Sequence, residues 1–211
     1  MYQIDNTYLT LEKLHEIFFK KITIELSPDA IQRILDCRNY LDEKFYNNVP
    51  IYGINTGFGS LCNKSISSQN LEELQVNLVI SHACGFGEEV PSPIVKLMLL
   101  LKVQSLSYGY SGVQLETVNR LIDFYNEDIL PVVYQQGSLG ASGDLAPLAH
   151  LSLPLLGLGE VYFKGQKVKS EQVLKEMAWK PICLKSKEGL ALLNGTQFMS
   201  AYALHILFKA Y

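Results

Sequence analysis

The sequence predicts a mainly α protein, built from long buried helices with one small β-hairpin. Three observations carry this. Apolar residues recur at helical spacing in several segments, such as Leu71, Leu74 and Leu78, or Leu115, Val118, Leu121, Ile122 and Tyr125. The segment Ile94 to Tyr108 is apolar almost all round, which implies burial on several sides. Charged residues make up 18% of the 211-residue chain and hydrophobic ones 48%. Average domains carry about 25% charged residues, so much of this surface must be covered.

Taken in order, Leu9 to Lys20 has a mixed helical pattern, and "ITIEL" (Ile22 to Leu26) is short and β-favouring. Ser27-Pro28 then supplies an N-cap with proline at the first helical position. Ile31, Ile34, Leu35, Leu41 and Phe45 follow at helical spacing. The glycine-rich "IYGINTGFGSL" reads as loop. A helix runs from about Ser68 to Ala83, with His82 on the face of Leu71, Leu74 and Leu78. Pro91 and Pro93 open the apolar helix to Tyr108, and another covers Leu115 to Tyr125. After "QQGSLGASGD" an apolar helix contains Pro147 and Pro154. "EVYFKGQKV" (Glu160 to Val168) is the hairpin, turning at Gly165, and Ser170 to Ala178 is a short helix. Ser186 to Tyr211 reads as one continuous helix. It has no glycine stop and no polar tail, so the chain is expected to be a fragment or to meet another subunit there.

Composition excludes several functions. The net charge is −3 with no basic cluster, whereas nucleic-acid binding needs clustered Lys and Arg to replace counterions. Cys37, Cys62, Cys84 and Cys183 are scattered, without C-x-x-C spacing or neighbouring histidines. Reduced thiols in a cytoplasmic protein are expected, with neither metal nor disulfide framework. The N-terminus lacks the pattern of a signal peptide. The run "IVKLMLLLKVQSL" is interrupted by Lys96 and Lys102 and falls short of the roughly 20 apolar residues that a membrane span needs.

Ala141-Ser142-Gly143-Asp144 admits two readings. In the first, Gly140 and Gly143 soften a loop, and Ser142 or Asp144 caps the next helix. In the second, the amide nitrogen of Gly143 attacks the carbonyl carbon of Ala141 and closes a five-membered ring. Glycine tolerates the dihedrals this requires, and alanine leaves the carbonyl uncrowded. Ser142 then loses its hydroxyl as water and leaves an exocyclic double bond. The product is a methylidene-imidazolone, an electrophile made from the chain itself.

The segment "GSLGASGDLAPLAHLSL" resembles the prosthetic-group motif of the aromatic amino acid ammonia-lyases. "YGINTGFG" (Tyr52 to Gly59), "SHACG" (Ser81 to Gly85) and "KEGLALLNGTQ" (Lys187 to Gln197) match that family in the same order. The resemblance covers nearly everything from Val49 onward and is nearest to the histidine ammonia-lyases. It implies a fumarase/aspartase-like helical fold and elimination of ammonia from L-histidine to give urocanate. The implied cofactor is the methylidene-imidazolone of Ala141, Ser142 and Gly143, with no external one. A tyrosine or other aromatic ammonia-lyase or aminomutase is the alternative, as is a catalytically incomplete piece that serves folding or assembly.

By resemblance, Tyr52 is the base that removes the substrate β-proton. The same glycine-rich stretch is no phosphate loop, because it lacks G-x-G-x-x-G spacing and a following Gly-Lys-Ser/Thr. Gly59 keeps that loop close to the substrate. His82 alone reads as a core histidine. In the family its position meets the substrate ring, where an imidazole or phenol can pair with it and a bare phenyl cannot. Asn194 is expected as a buried polar group inside an apolar helix, bonded near the prosthetic group or the substrate amine. Gln197, one turn on, supports it. Asp144 caps its helix, and it accepts a proton or orients groups during ring closure. Tyr108, Tyr110 and His150 read as packing. The resemblance makes residues 1–211 the N-terminal portion of a longer chain, holding the prosthetic-group loop (about 135–147) and the start of a central bundle. Family proteins are homotetramers, and their later half carries a second tyrosine, an arginine for the carboxylate and an acidic residue. Whether the electrophile captures the amine or the imidazole stays open.

Overall fold

The computed structural model describes residues 1–45, 51, 53–56, 70–139 and 143–210. The chain is mainly helical, as the apolar spacing requires. Helix α1 spans Leu11–Phe19, capped by Thr10, whose hydroxyl accepts from the Lys13 amide. Helix α2 spans Pro28–Phe45. Proline opens it, and the Ser27 hydroxyl accepts from the Ala30 amide at 3.1 Å, the cap the sequence announces. Between them Ile24–Leu26 forms a strand, β2, pairing in parallel with β1 (Tyr2–Ile4). The partner strand was not legible, because three residues carry too little alternation.

Helices α3 (Leu71–His82), α4 (Ser92–Ser107) and α5 (Leu115–Asn126) follow. Strands β3 (Phe86–Glu89) and β5 (Tyr134–Gln136) pair antiparallel, again unannounced by alternation. The stretch read as one apolar helix with two prolines is α6 (Leu145–Ser152), which tightens into a 3₁₀ turn over Leu153–Leu156. Pro147 sits in the first turn of α6, where its missing N–H costs nothing, and Pro154 opens the turn. Strands β6 (Glu160–Phe163) and β7 (Gln166–Lys169) make the expected hairpin. Lys164 (φ 51°) and Gly165 (φ 77°) both occupy the left-handed region, as a tight hairpin turn demands. Strand β4 (Leu130–Pro131) adds to its edge. Helix α7 covers Ser170–Glu176.

The C-terminal segment differs from the expectation of one helix. It is two, α8 (Glu188–Leu193) and α9 (Gln197–Ala210), broken at Asn194–Thr196.

Helix α4 is the centre of the core. Leu97, Met98, Leu99, Leu100 and Val103 are fully buried, each stabilising by about 1.5–3 kcal/mol relative to exposure. It packs mainly against α9 and α5. Helix α8 is fixed by polar bonds instead. The fully buried Glu188 carboxylate accepts from the Gln114 amide and side chain, the Thr117 hydroxyl and the Lys185 amide. The Gly189 amide donates to the buried Gln75 side chain on α3 at 2.9 Å. These bonds hold α3, α5 and α8 in one register. Among the described residues, no helix is long and apolar enough to cross a membrane.

Candidate active site

The loop between β5 and α6 is clamped at both ends. At its entry, β5 lies beside β3, which follows directly on the turn after His82. Gly137 has φ 123°, and a Cβ there would sit 2.9 Å from the Gly85 Cα, so the two turns touch backbone to backbone. His150, on α6, reinforces this junction. Its Nε2 accepts from the Gly85 amide at 2.9 Å, which places the ring proton on Nδ1. The Tyr134 ring packs edge-on against it at 5.1 Å. Burial pushes the His150 pKa below its ordinary value, which favours the neutral acceptor form. A residue read as packing is thus a specific tie between two motifs.

At the loop's exit, Gly143 has φ 112°, and a Cβ would meet the Gly195 carbonyl oxygen at 2.6 Å. Only glycine fits. The next amide, of Asp144, donates to that same oxygen at 2.8 Å. Asp144 is fully buried. Its carboxylate was expected to cap α6, but it makes no side-chain bond there. Instead Oδ2 accepts from the Met199 amide at 3.0 Å and Oδ1 from the Ser138 hydroxyl at 3.1 Å. Met199 lies in the first turn of α9, so Asp144 caps a helix 55 residues away (199 − 144). The positive end of the helix dipole at this first turn favours the carboxylate.

Asn194 also departs from expectation. It is exposed, and it stands at the C-terminal cap of α8 rather than inside a helix. Its side-chain amide donates to the Leu190 carbonyl at 3.1 Å. The reason is tertiary, since the chain must leave the helix for Gly195 to reach the Gly143–Asp144 backbone. Gln197 is buried, and its Oε1 has no partner among the described residues. That oxygen lies over Gly195, where a Cβ would approach it at 2.1 Å.

His82 ends α3 and is half-buried. Its Nδ1 lies 2.8 Å from the Leu78 carbonyl oxygen. A carbonyl only accepts, so Nδ1 carries a proton and donates it to Leu78, with the Ser81 hydroxyl 3.2 Å from the same nitrogen. Among the described residues, Nε2 has no hydrogen-bond partner.

Tyr52, Gly59, Ala141 and Ser142 lie outside the described residues. Beside Tyr52, the Ile51 amide donates to the Asn55 side chain at 2.7 Å. Ile51 and Ile54 line a groove of about 320 Å³ with Gly112 and Lys187, the first residue of the fourth motif. The second, third and fourth motifs therefore meet around Gly85, Gly137, Gly143 and Gly195, and the first abuts the fourth. Tyr110, read as packing, is exposed. No group of three or more His, Cys, Asp or Glu among the described residues is placed to hold a metal ion.

Sequence reasoning passed over Lys102, Gln75 and Glu188, all fully buried polar residues on helices near this site. The available signal was a charge or amide at a helix position whose neighbours are apolar.

Comparison with known proteins shows the family. The family profile described as aromatic amino acid lyase matches residues 9–211. The histidine ammonia-lyase of Myxococcus xanthus (strain DK1622) is 46% identical over 198 residues, covering 94% of this chain and 39% of its own. The crystal structure of histidine ammonia-lyase from Trypanosoma cruzi superposes with a TM-score of 0.89 at 38% identity, covering 99% of this chain and 41% of that one. A tyrosine aminomutase from Streptomyces globisporus gives a TM-score of 0.90 at 32% identity, covering 99% and 39%. The chain thus spans about two-fifths of the length of the relatives it matches. By its matched profile, its fold and the meeting of its motifs, the chain belongs to the aromatic amino acid lyase family.

Proposed function

We propose that this chain carries the electrophile-forming loop of an ammonia-lyase that converts L-histidine to urocanate and ammonia. The observation that supports this most directly is the Gly143–Gly195 contact. It holds the third residue of Ala141-Ser142-Gly143 in a conformation open to glycine alone, where ring closure needs that residue's amide nitrogen as nucleophile. In closure, the Gly143 nitrogen bonds to the Ala141 carbonyl carbon and the carbonyl oxygen leaves as water. Ser142 loses its Cα proton and hydroxyl as a second water. The residues present fit this group, because Gly143 leaves no room for a side chain and Asp144 fixes the adjacent backbone. The resulting methylidene-imidazolone supplies an electrophile that activates the substrate for loss of ammonia.

The remaining steps belong to ordinary side chains. His82, with Nδ1–H committed to Leu78, accepts the imidazole N–H of the substrate at Nε2. Tyr52 takes the β-proton, and its phenol must act well below its aqueous pKa of about 10. Asn194 at the end of α8 and Gln197 at the start of α9 offer amides to the substrate, and Gly59 keeps the Tyr52 loop near it. Both Asp144 oxygens are occupied, which suits orientation of the loop rather than free proton transfer. The 46% identity to a histidine ammonia-lyase favours histidine. The likeness to a tyrosine aminomutase keeps tyrosine as the second reading. In this reading residues 1–211 are the N-terminal portion of a homotetrameric cytoplasmic enzyme, and the groups that bind the substrate carboxylate lie elsewhere in it. Side-by-side turnover of histidine, tyrosine and phenylalanine tests the substrate. Urocanate formation outpacing the other two is expected, and faster deamination of tyrosine refutes histidine.

A further inference from the structure

Lys102 sits in the middle of α4, the most apolar helix, and is 1% exposed. No carboxylate pairs with it among the described residues. A buried lysine without a counter-charge is costly, and burial alone pushes its pKa down to about 7. A methionine would fill similar volume without that cost. What the lysine gains is visible in its two partners. Its Nζ donates to the Ala191 carbonyl at 2.9 Å and to the Asn194 carbonyl at 3.3 Å. Both belong to the end of α8, where the last carbonyls of a helix have no partner within it. Both carbonyls are thereby satisfied by N–H donors of the one amine.

These carbonyls lie on the α8 side of the break between α8 and α9. From Asn194 the chain passes to Gly195, whose carbonyl receives the Asp144 amide and backs Gly143. The break is thus tied on one side to Lys102 and on the other to Asp144. We infer that Lys102 is a positioning residue, which fixes the α8–α9 break and through it both the Asn194 side chain and the wall behind Gly143. The inference rests on the function proposed above.

The test uses the protein at its natural length from its native host, with Lys102→Met and Lys102→Arg beside wild type. Intact mass, thermal melting, kcat and KM for histidine are read on each. Lys102→Met is expected to melt at or above the wild-type temperature, because a desolvated amine is removed along with its bonds. A share of its chains keeps the undehydrated mass. Its kcat falls about 100-fold, the scale of an ångström-level misplacement, while KM moves far less. Lys102→Arg, which keeps donors at the break, recovers part of kcat. If Lys102→Met does not fold, Lys102→Gln is read in its place. A folded variant with full dehydration and wild-type kcat overturns the inference, as does a lowered melting temperature with kcat per dehydrated chain unchanged. A wild-type protein lacking the two-water deficit refutes the functional reading and this inference with it. A wild-type deficit beside an unaffected Lys102→Met refutes this inference alone.

Discussion

Replacing Asp144 by alanine separates the electrophile loop from α9, and its magnitude follows from two hydrogen bonds. The Met199 amide loses a cap that is typically worth about 1 kcal/mol, and more when the carboxylate is buried at the positive end of the helix. The Ser138 hydroxyl loses its acceptor in the same step. Asp144 is fully buried while its two donors are part-buried, so each lost partner costs toward the lower end of about 1–3 kcal/mol. Removing the carboxylate also relieves its own desolvation, so the net expected loss is about 3 kcal/mol. Asp144→Asn keeps the shape and one acceptor and is expected to lose about 1 kcal/mol. Urea unfolding followed by circular dichroism measures both, with the transition slope checked for constancy. The account further expects incomplete dehydration of the triplet in Asp144→Ala, read by intact mass. An alanine variant within about 0.5 kcal/mol of wild type, the scale of a surface substitution, refutes the cross-helix cap.

Three further outcomes follow. Gly143→Ala places a Cβ 2.6 Å from the Gly195 oxygen at φ 112°. It should destabilise by about 1–3 kcal/mol from backbone strain alone, with no dehydration, and a wild-type melting temperature contradicts it. The folded pKa of His150 is depressed below 6.5 by burial, so the unfolded chain binds more protons in that range. Stability is then fully present above pH 6.5 and falls as the pH drops below it. His205, also depressed, contributes in the same direction. His150→Gln should flatten this decline in urea midpoints between pH 7 and 5, and an unaltered slope counts against the tie to Gly85. For Lys102 the unfolded value of 10.5 exceeds the folded value of about 7. Wild-type stability should therefore rise between pH 7 and 10 relative to Lys102→Met, by at most about 5 kcal/mol, and parallel profiles contradict a neutral buried amine.

The helices were legible because their apolar faces repeat with the helical period, and the caps at Ser27 and Pro28 are local chemistry. The break at Asn194–Thr196 was not legible. Leu190 to Leu193 and Phe198 onward favour a helix on both sides, and the interruption is imposed by Lys102 and Asp144 from distant positions. Asp144 was read as capping the nearest helix because sequence shows only neighbours, whereas the vacant first turn it serves belongs to Met199. Lys102 registered merely as a charge interrupting an apolar run. Strands β1, β3 and β5 are too short for alternation to mark them. Of the candidate site, His82, Gly143, Asp144 and Gln197 are named by motifs, whose spacing reflects chemistry rather than packing. The tie from His150 to Gly85 joins two motifs and is apparent only once both are folded.

The central claim concerns Ala141, Ser142 and Gly143, and intact mass addresses it directly. The protein at natural length should weigh two waters less than its sequence, and Ser142→Ala should remove that deficit along with urocanate formation. A preparation that turns over histidine at the full, undehydrated mass would contradict the account.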